Sequence, residues 1–198
     1  PTIMSVRADS DIRSVEDFME LEDIKVSTQG KTANSTITAA VTLDRMDKDW
    51  TAINHDGTSE AVLSVVRGDA DVIWGSLDSQ ISFVRNGETH VLMYYDGERN
   101  PELPDAPLPS EVGLPVELDQ GFNSNRVIGA PPGLPADVRA VLEAAIRDAV
   151  EDPAFQAQLD QIGYTSQYVD GDRTAEIVRS SVAGFRDYSN VINSLLEQ

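Results

Sequence analysis

No cysteine occurs among the 198 residues, which removes disulfides, thiol nucleophiles and cysteine-ligated metals from consideration in either redox compartment. Histidine is nearly as scarce. His55 and His90 are the two present, and neither stands in a pattern that marks a nucleophile, its base and an orienting acid. Positive charge is the third shortage, with 12 Arg and 3 Lys against 21 Asp and 13 Glu, a net charge of −19. Such a surface repels phosphate backbones and anionic membranes, so no nucleic-acid partner is expected. The acids are spread through segments that also carry apolar faces, which fits a folded protein with a solvated acidic surface. Scarce lysine beside abundant aspartate points to a chain suited to high salt, and no D-x-[DN]-x-[DN]-G loop supports the competing calcium reading. Long apolar runs are missing too: nothing approaches the roughly eighteen residues of a membrane span, and PTIMSVRADS lacks a basic segment followed by an apolar one. Neither a transmembrane helix nor a signal peptide is expected in this stretch, and a chain that enters a strand directly after Pro1 is expected to begin naturally elsewhere.

What the chain does contain is organised around Ile24 to Leu43, IKVSTQGKTANSTITAAVTL. Ile24 to Thr28 is a short β-branched run of the kind that makes a buried strand, and Ile37, Ala40, Val41 and Leu43 recur at helical spacing. Between them, Gln29, Gly30, Lys31, Thr32, Ala33, Asn34 and Ser35 present backbone N–H groups with little side chain in the way, and Asn34 or Ser35 is expected to cap the helix. A strand, a polar loop and a helix start make an anion seat, because unpaired amides and the positive end of the helix dipole face the loop. Gly30-Lys31-Thr32 looks like the end of a P-loop, but that motif needs glycine where Lys25 stands. The acids Asp69 and Asp71 also precede the strand Val72-Ile73-Trp74 instead of following it, so a nucleotide with magnesium does not fit. No cofactor and no metal is expected.

Taken in order, Thr2 to Val6 is a strand and Ser14 with Asp17 opens a helix from Val15 to Leu21 through a capping box. After the seat, Trp50 to His55 is a strand, Asp56-Gly57-Thr58-Ser59 a turn, and Thr58 or Ser59 the cap of a helix whose face carries Ala61, Val62, Val65 and Val66 until Gly68 stops it. Asp71 to Trp74 is a strand leading through Gly75-Ser76 into a helix along Leu77, Ile81 and Val84, and His90 to Tyr95 is a fifth strand. The alternation predicts βαβ units in a mostly parallel sheet. Three successive loops, Ser27 to Ser35, His55 to Ser59 and Gly75 to Ser79, then meet outside the carboxyl ends of their strands, where open α/β sheets bind ligands. Asp96 to Asp119 reads as a long surface connection. A strand at Arg126 to Ala130, helices at Pro135 to Val150 and Pro153 to Ile162, a strand at Thr165 to Val169 and one long helix from Arg173 to Leu196 complete the expectation. Trp50 and Trp74 are expected in the core or pocket wall, and His90 at the surface.

Several segments together resemble the solute receptors of the tripartite tricarboxylate transporters, the TctC or Bug family. The helix opening is matched by Ser10 through Phe18, and the ligand loop loosely by Ser27 to Thr38 with Gly30 at its centre. His55-Asp56-Gly57, Glu60-Ala61, Val65, Gly68 and Asp71 match a further segment closely, and Asp105-Ala106-Pro107-Leu108, Glu111 and Gly113 correspond to another. Ala130-Pro131, Gly133 and Pro135 precede the last matched helix, Asp152 to Gly163. The chain departs from the family at Thr32 (often glycine), Thr36 (often histidine), His55-Asp56 (often Tyr-Lys) and Lys31 (usually uncharged).

The resemblance implies a periplasmic-binding-protein-like type II fold, α/β with two lobes. Residues 1–123 would form lobe two, and 124–198 the mainly helical C-terminal part of lobe one. The family's signal peptide and the first part of lobe one would lie outside this chain. It implies a non-catalytic, extracytoplasmic receptor, periplasmic or tethered to the outer face of the membrane, that hands a mono-, di- or tricarboxylate to membrane permease subunits. The ligand would sit on Ser27, Thr28, Gly30, Lys31, Thr32, Ala33, Asn34 and Ser35, joined by His55, Gly57, Thr58 and Ser76. An enzyme acting on a carboxylate, or an orphan binding module without a permease, are the alternatives.

Overall fold

The computed structural model describes residues 1–97, 99–119, 126–161 and 166–197. Five strands, β1 (Thr2–Arg7), β2 (Ile24–Thr28), β3 (Trp50–Asn54), β4 (Val72–Ser76) and β5 (Thr89–Tyr95), form one sheet in the order β3-β2-β4-β1-β5. β2 runs parallel to both β3 and β4, whereas β1 lies antiparallel between β4 and β5. Four strands therefore share a direction and β1 alone opposes them, so the sheet is mixed. The carboxyl ends of β2, β3 and β4 lie along one edge together with the start of β1, where Thr2 pairs with Ser76.

Helices α1 (Val15–Met19), α2 (Asn34–Arg45), α3 (Thr58–Arg67) and α4 (Leu77–Arg85) link these strands. Strand side chains alternate between the faces, so each run of apolar residues feeds two cores. On one face Met4, Val6, Val26, Val72 and Trp74 pack with Phe18 of α1 and Ala39 and Leu43 of α2. On the other, Ile73 packs with Ala61, Val62 and Val65 of α3, and Ile3 with Leu77 and Val84 of α4. The expected capping box is present: the Ser14 hydroxyl accepts from Asp17 N–H at 3.1 Å, and the Asp17 carboxylate accepts from Ser14 N–H at 3.0 Å. Those bonds, led by one from Arg13 N–H, hold the Asp17 carboxyl below its ordinary value. Gly68 ends α3 in the left-handed region at φ 81°, as its position predicted.

Tyr95 closes the first core. Its buried hydroxyl accepts from Trp74 Nε1–H at 2.9 Å and lies 3.0 Å from Thr42 Oγ1. Burial pushes this phenol up to about 12, against a value near 10 in the unfolded chain. Above pH 10 the unfolded state loses the proton while the folded state keeps it, so this group contributes a loss of about 1.4 kcal/mol of stability per pH unit between the two values. Tyr95→Phe is expected to give a shallower fall of melting temperature between pH 10 and 12 than the unaltered protein. Equal slopes would show that Tyr95 is not the titrating group.

Helices α5 (Ala136–Val150), α6 (Pro153–Gln161), α7 (Gly171–Asp187) and α8 (Ser189–Glu197) follow. The chain divides into two compact units, Pro1–Ser124 with Gly184–Gln198, and Asn125–Ala183. The expected division at residue 123 is corrected at the C-terminal end. The single helix predicted to run to Leu196 breaks at Tyr188, and Tyr188 and Leu195 bury themselves on Ile37, Ala40 and Val41 of α2. Apolar contact thus draws α8 into the first unit. Within the second unit Arg139 binds Glu143 at 2.8 Å and Asp172 at 2.9 Å. Neither α5 nor α7 contains a buried residue, and Val138, Val141, Leu142, Val178 and Val182 are exposed. The strand expected at Arg126–Ala130 is absent, and 166–169 is equally irregular. A strand needs a neighbour to pair its backbone groups, and no described segment supplies one. Thr165 and the Gly163 stop lie outside the described residues.

Candidate functional site

The three loops expected to meet do lie at one edge of the sheet. At the end of β2, Gly30 takes φ 100°, a conformation glycine reaches without a Cβ penalty, and its carbonyl accepts from Ala33 N–H at 3.2 Å to close a turn. At the end of β3, His55 N–H donates to Thr28 O at 3.0 Å, and Thr58 Oγ1 donates to Gln29 Oε1 at 2.9 Å. The β2 and β3 loops are thereby tied together. The β4 loop reaches this edge through the parallel register Val26 with Val72 and Ser27 with Ile73. Its turn is held by Ser79 Oγ donating to Ser76 O at 2.8 Å, and Leu77 N–H donates to Pro1 O at 3.0 Å.

Three helices start here, and the side-chain caps expected for α2 and α3 are missing. The N-cap residues are Ala33, Gly57 and Ser76, and none makes a side-chain capping bond among the described residues. Asn34, Ser35, Thr58 and Ser59 lie inside their helices instead of before them. The reason at α3 is visible: the Thr58 hydroxyl is directed to Gln29, twenty-nine residues away. Uncapped first turns leave backbone N–H donors facing the loop. The three are not equivalent. Glu60 and Asp78 place acids in the first turns of α3 and α4, but the first turn of α2 has none. The positive end of the α2 dipole is thus the one without a built-in counter-charge, and an anion is favoured there most.

The candidate residues take different parts. Ser27 and Thr28 are buried, with hydroxyls engaged inside the protein: Ser27 Oγ donates to Ala61 O at 2.7 Å and Thr28 Oγ1 to Asn54 Oδ1 at 2.8 Å. They fasten loops. Lys31, Thr32 and Ser76 are exposed, while Gly30, Ala33, Asn34, Ser35, His55, Gly57 and Thr58 are half-buried along the edge. Gln29 and Asn54, which sequence reasoning passed over as site residues, hold the second and third strand ends together. Thr36 is 2% exposed, sits in the first turn of α2, and its hydroxyl has no partner among the described residues. The ring of His55 likewise has a buried, unpartnered Nε2. A hollow of about 310 Å³ lined by Asp44, Lys48, Trp50 and Asn190 lies at the opposite end of β3.

Residues 1–193 match the model of the tripartite tricarboxylate transporter family receptor. The chain belongs to that family. A curated relative, the UPF0065 protein in the tcbD-tcbE intergenic region of Pseudomonas sp. (strain P51), is 26% identical over 171 residues, covering 82% of this chain and 49% of its own. The chain therefore spans about half the length of that relative. Among solved structures, a TctC solute-binding protein from Polaromonas superposes with a TM-score of 0.77 at 22% identity, over 98% of this chain and 66% of that one. R. palustris Rpa4515 with adipate superposes at 0.75 with 16% identity, over 98% and 65%. The fold is that of TctC-type periplasmic binding proteins, of which this chain represents just under two thirds. The family is a class of solute-binding receptors, not of enzymes, and no described helix is long and apolar enough to cross a membrane.

Proposed function

We propose that the chain is the carboxylate-gripping part of an extracytoplasmic solute receptor that delivers a small organic acid to the permease subunits of a tripartite tricarboxylate transporter. The observation that carries this reading is the start of α2: a glycine-turned loop, a helix N-terminus with neither side-chain cap nor acid, and a buried unpartnered hydroxyl at Thr36. The adipate named with one structural neighbour supports a carboxylate of that kind. Residues 1–123 act as lobe two, and the C-terminal helices, apart from α8, belong to lobe one. Their uncovered apolar faces are what a helix layer lacking part of its lobe presents. Binding without catalysis fits the two histidines. His90 Nε2 lies 3.0 Å from Arg13 O at the surface, and His55 has no acid or nucleophile bonded to its ring among the described residues.

Ser35→Asp separates seat from scaffold. An acid in the first turn of α2 complements the helix dipole by about 0.3–1 kcal/mol, so the melting temperature is expected to hold or rise. The same charge repels a bound carboxylate, so calorimetry with mono-, di- and tricarboxylates should show affinity falling by about tenfold or more, or about 1.4 kcal/mol. Lys31→Ala should weaken binding less, since its exposed ammonium is screened. Unchanged affinity in Ser35→Asp, or no carboxylate bound by the unaltered chain, would remove the α2 start as the ligand seat.

A further inference from the structure

The sheet has two edge strands, β5 and β3, and they are finished differently. On the outer side of β5, Tyr94 N–H donates to Pro107 O at 3.0 Å, so the connection that follows pairs with that edge. β3 pairs with β2 alone, and His55 N–H, just past its end, donates to Thr28 O. In a parallel ladder alternate residues bond the same neighbour. Carrying that alternation back from His55 gives Ile53 and Thr51 to β2 and turns the N–H and C=O groups of Ala52 and Asn54 outward. Neither residue has a backbone partner on that side among the described residues. Thr51, Ala52 and Asn54 are exposed, and the strand carries none of the lysine, proline or bulge with which exposed edges are commonly blunted.

We infer that the free edge of β3 is a docking strand for an extended, basic segment of a partner protein, which adds to the sheet and places an arginine or lysine side chain beside Trp50. Main-chain bonds to Ala52 and Asn54 hold such a segment, and its alternate side chains are read on the two faces. At the amino end of the edge lies the hollow of about 310 Å³, lined by Trp50, Asp44, Asp49, Asn190 and Ser194. An indole face with two carboxylates beside it favours a cation. The cations already near it are engaged: the Lys48 ammonium donates to Met19 O and Leu21 O, and the Arg45 guanidinium lies 5.1 Å over the Tyr188 ring. Around the strand the sequence adds Asp47, Asp56 and Glu60. On the opposite face Lys25 stands level with Thr51 and Ile53 is half-buried, so the alternate residues of the segment that lie there are uncharged and β-branched. A second copy of this chain is the competing occupant, but two molecules of net charge −19 repel, and charge selects the basic partner. The inference is independent of which ligand the seat takes.

The test is titration of the 198-residue chain with short synthetic peptides that alternate arginine with valine, and with the same peptides carrying glutamate for arginine, read by calorimetry and by amide exchange in NMR. The arginine peptide is expected to bind about tenfold or more tighter than the glutamate peptide, to weaken as potassium chloride rises, and to slow exchange of the Ala52 and Asn54 amides by about tenfold or more. Ala52→Pro removes one outward N–H at a position where an edge strand accepts proline, so it should lower the affinity by about tenfold while circular dichroism still reports the fold. If that variant does not fold, an arginine peptide methylated on its backbone nitrogens, which cannot pair as a strand, makes the same deletion from the other side and should lose binding. Binding without slower exchange at Ala52 and Asn54 is charge attraction alone and overturns the strand addition, as does an affinity that survives both Ala52→Pro and methylation. Equal binding of the glutamate peptide overturns the basic partner, and so does absence of binding. Slow exchange of both amides in the free protein, growing with concentration alongside a dimer in sedimentation, gives the edge to a second copy and overturns the inference.

Discussion

Truncating Trp74 to alanine is expected to lower the melting temperature by roughly 6–20 °C, because removing a buried tryptophan costs about 3–5 kcal/mol and each kcal/mol moves a domain of this size by about 2–4 °C. Trp74 is 1% exposed, stands edge-on to Phe18 with ring centroids 6.2 Å apart, and gives its indole N–H to Tyr95. The alanine variant loses apolar area, leaves a cavity that the sheet and helix α2 cannot close, and deprives the Tyr95 oxygen of a donor. Trp74→Phe keeps much of the area and loses the N–H, so its melting temperature should lie between the two. Thermal melts followed by circular dichroism give the answer. A drop under about 4 °C for the alanine variant, the shift of about one kcal/mol, would mean that the first core tolerates repacking and that Trp74 is not its centre.

Salt should act in the opposite direction. With 34 acids against 15 bases, negative side chains outnumber positive ones by nineteen, and the molecule is held together against its own repulsion. The side-chain ion pairs of the described residues use arginine and lie at the surface, as in Arg85 with Glu102 and Arg99 with Glu111, and such pairs contribute little each. Counterions shorten the range of repulsion from about 10 Å at 0.1 M to about 3 Å at 1 M. The melting temperature in potassium chloride is therefore expected to rise by several degrees between low and molar concentration. Chloride is the informative anion, because sulfate strengthens apolar burial by itself. A flat or falling curve would remove the high-salt reading.

The strands and the buried faces of the first unit were legible because each depends on neighbours in sequence. Short apolar or β-branched runs such as Ile24–Thr28 and His90–Tyr95, and helical spacing through Ala61, Val62 and Val65, carry their own signal. The Ser14–Asp17 box was legible for the same reason: donor and acceptor lie three residues apart. Prediction failed wherever a group had a choice of partners. Thr58 could have capped its own helix but found Gln29 across the loop. A run at Arg126–Ala130 is apolar enough for a strand and has no strand beside it among the described residues.

By itself, then, the order of residues determined the five strands, the helices between them, the acidic surface and the family, since these follow from local periodicity, composition and short motifs. Tertiary structure alone decided that β1 enters the sheet backwards between β4 and β5, that α8 leaves the last helix to cover α2, and that three helix starts face one edge uncapped. It also decided that the Thr36 hydroxyl and the Gln80 amide are buried with no partner among the described residues. Each of these outcomes is settled by which distant groups compete for the same hydrogen bond or apolar surface, and spacing along the chain does not record that competition.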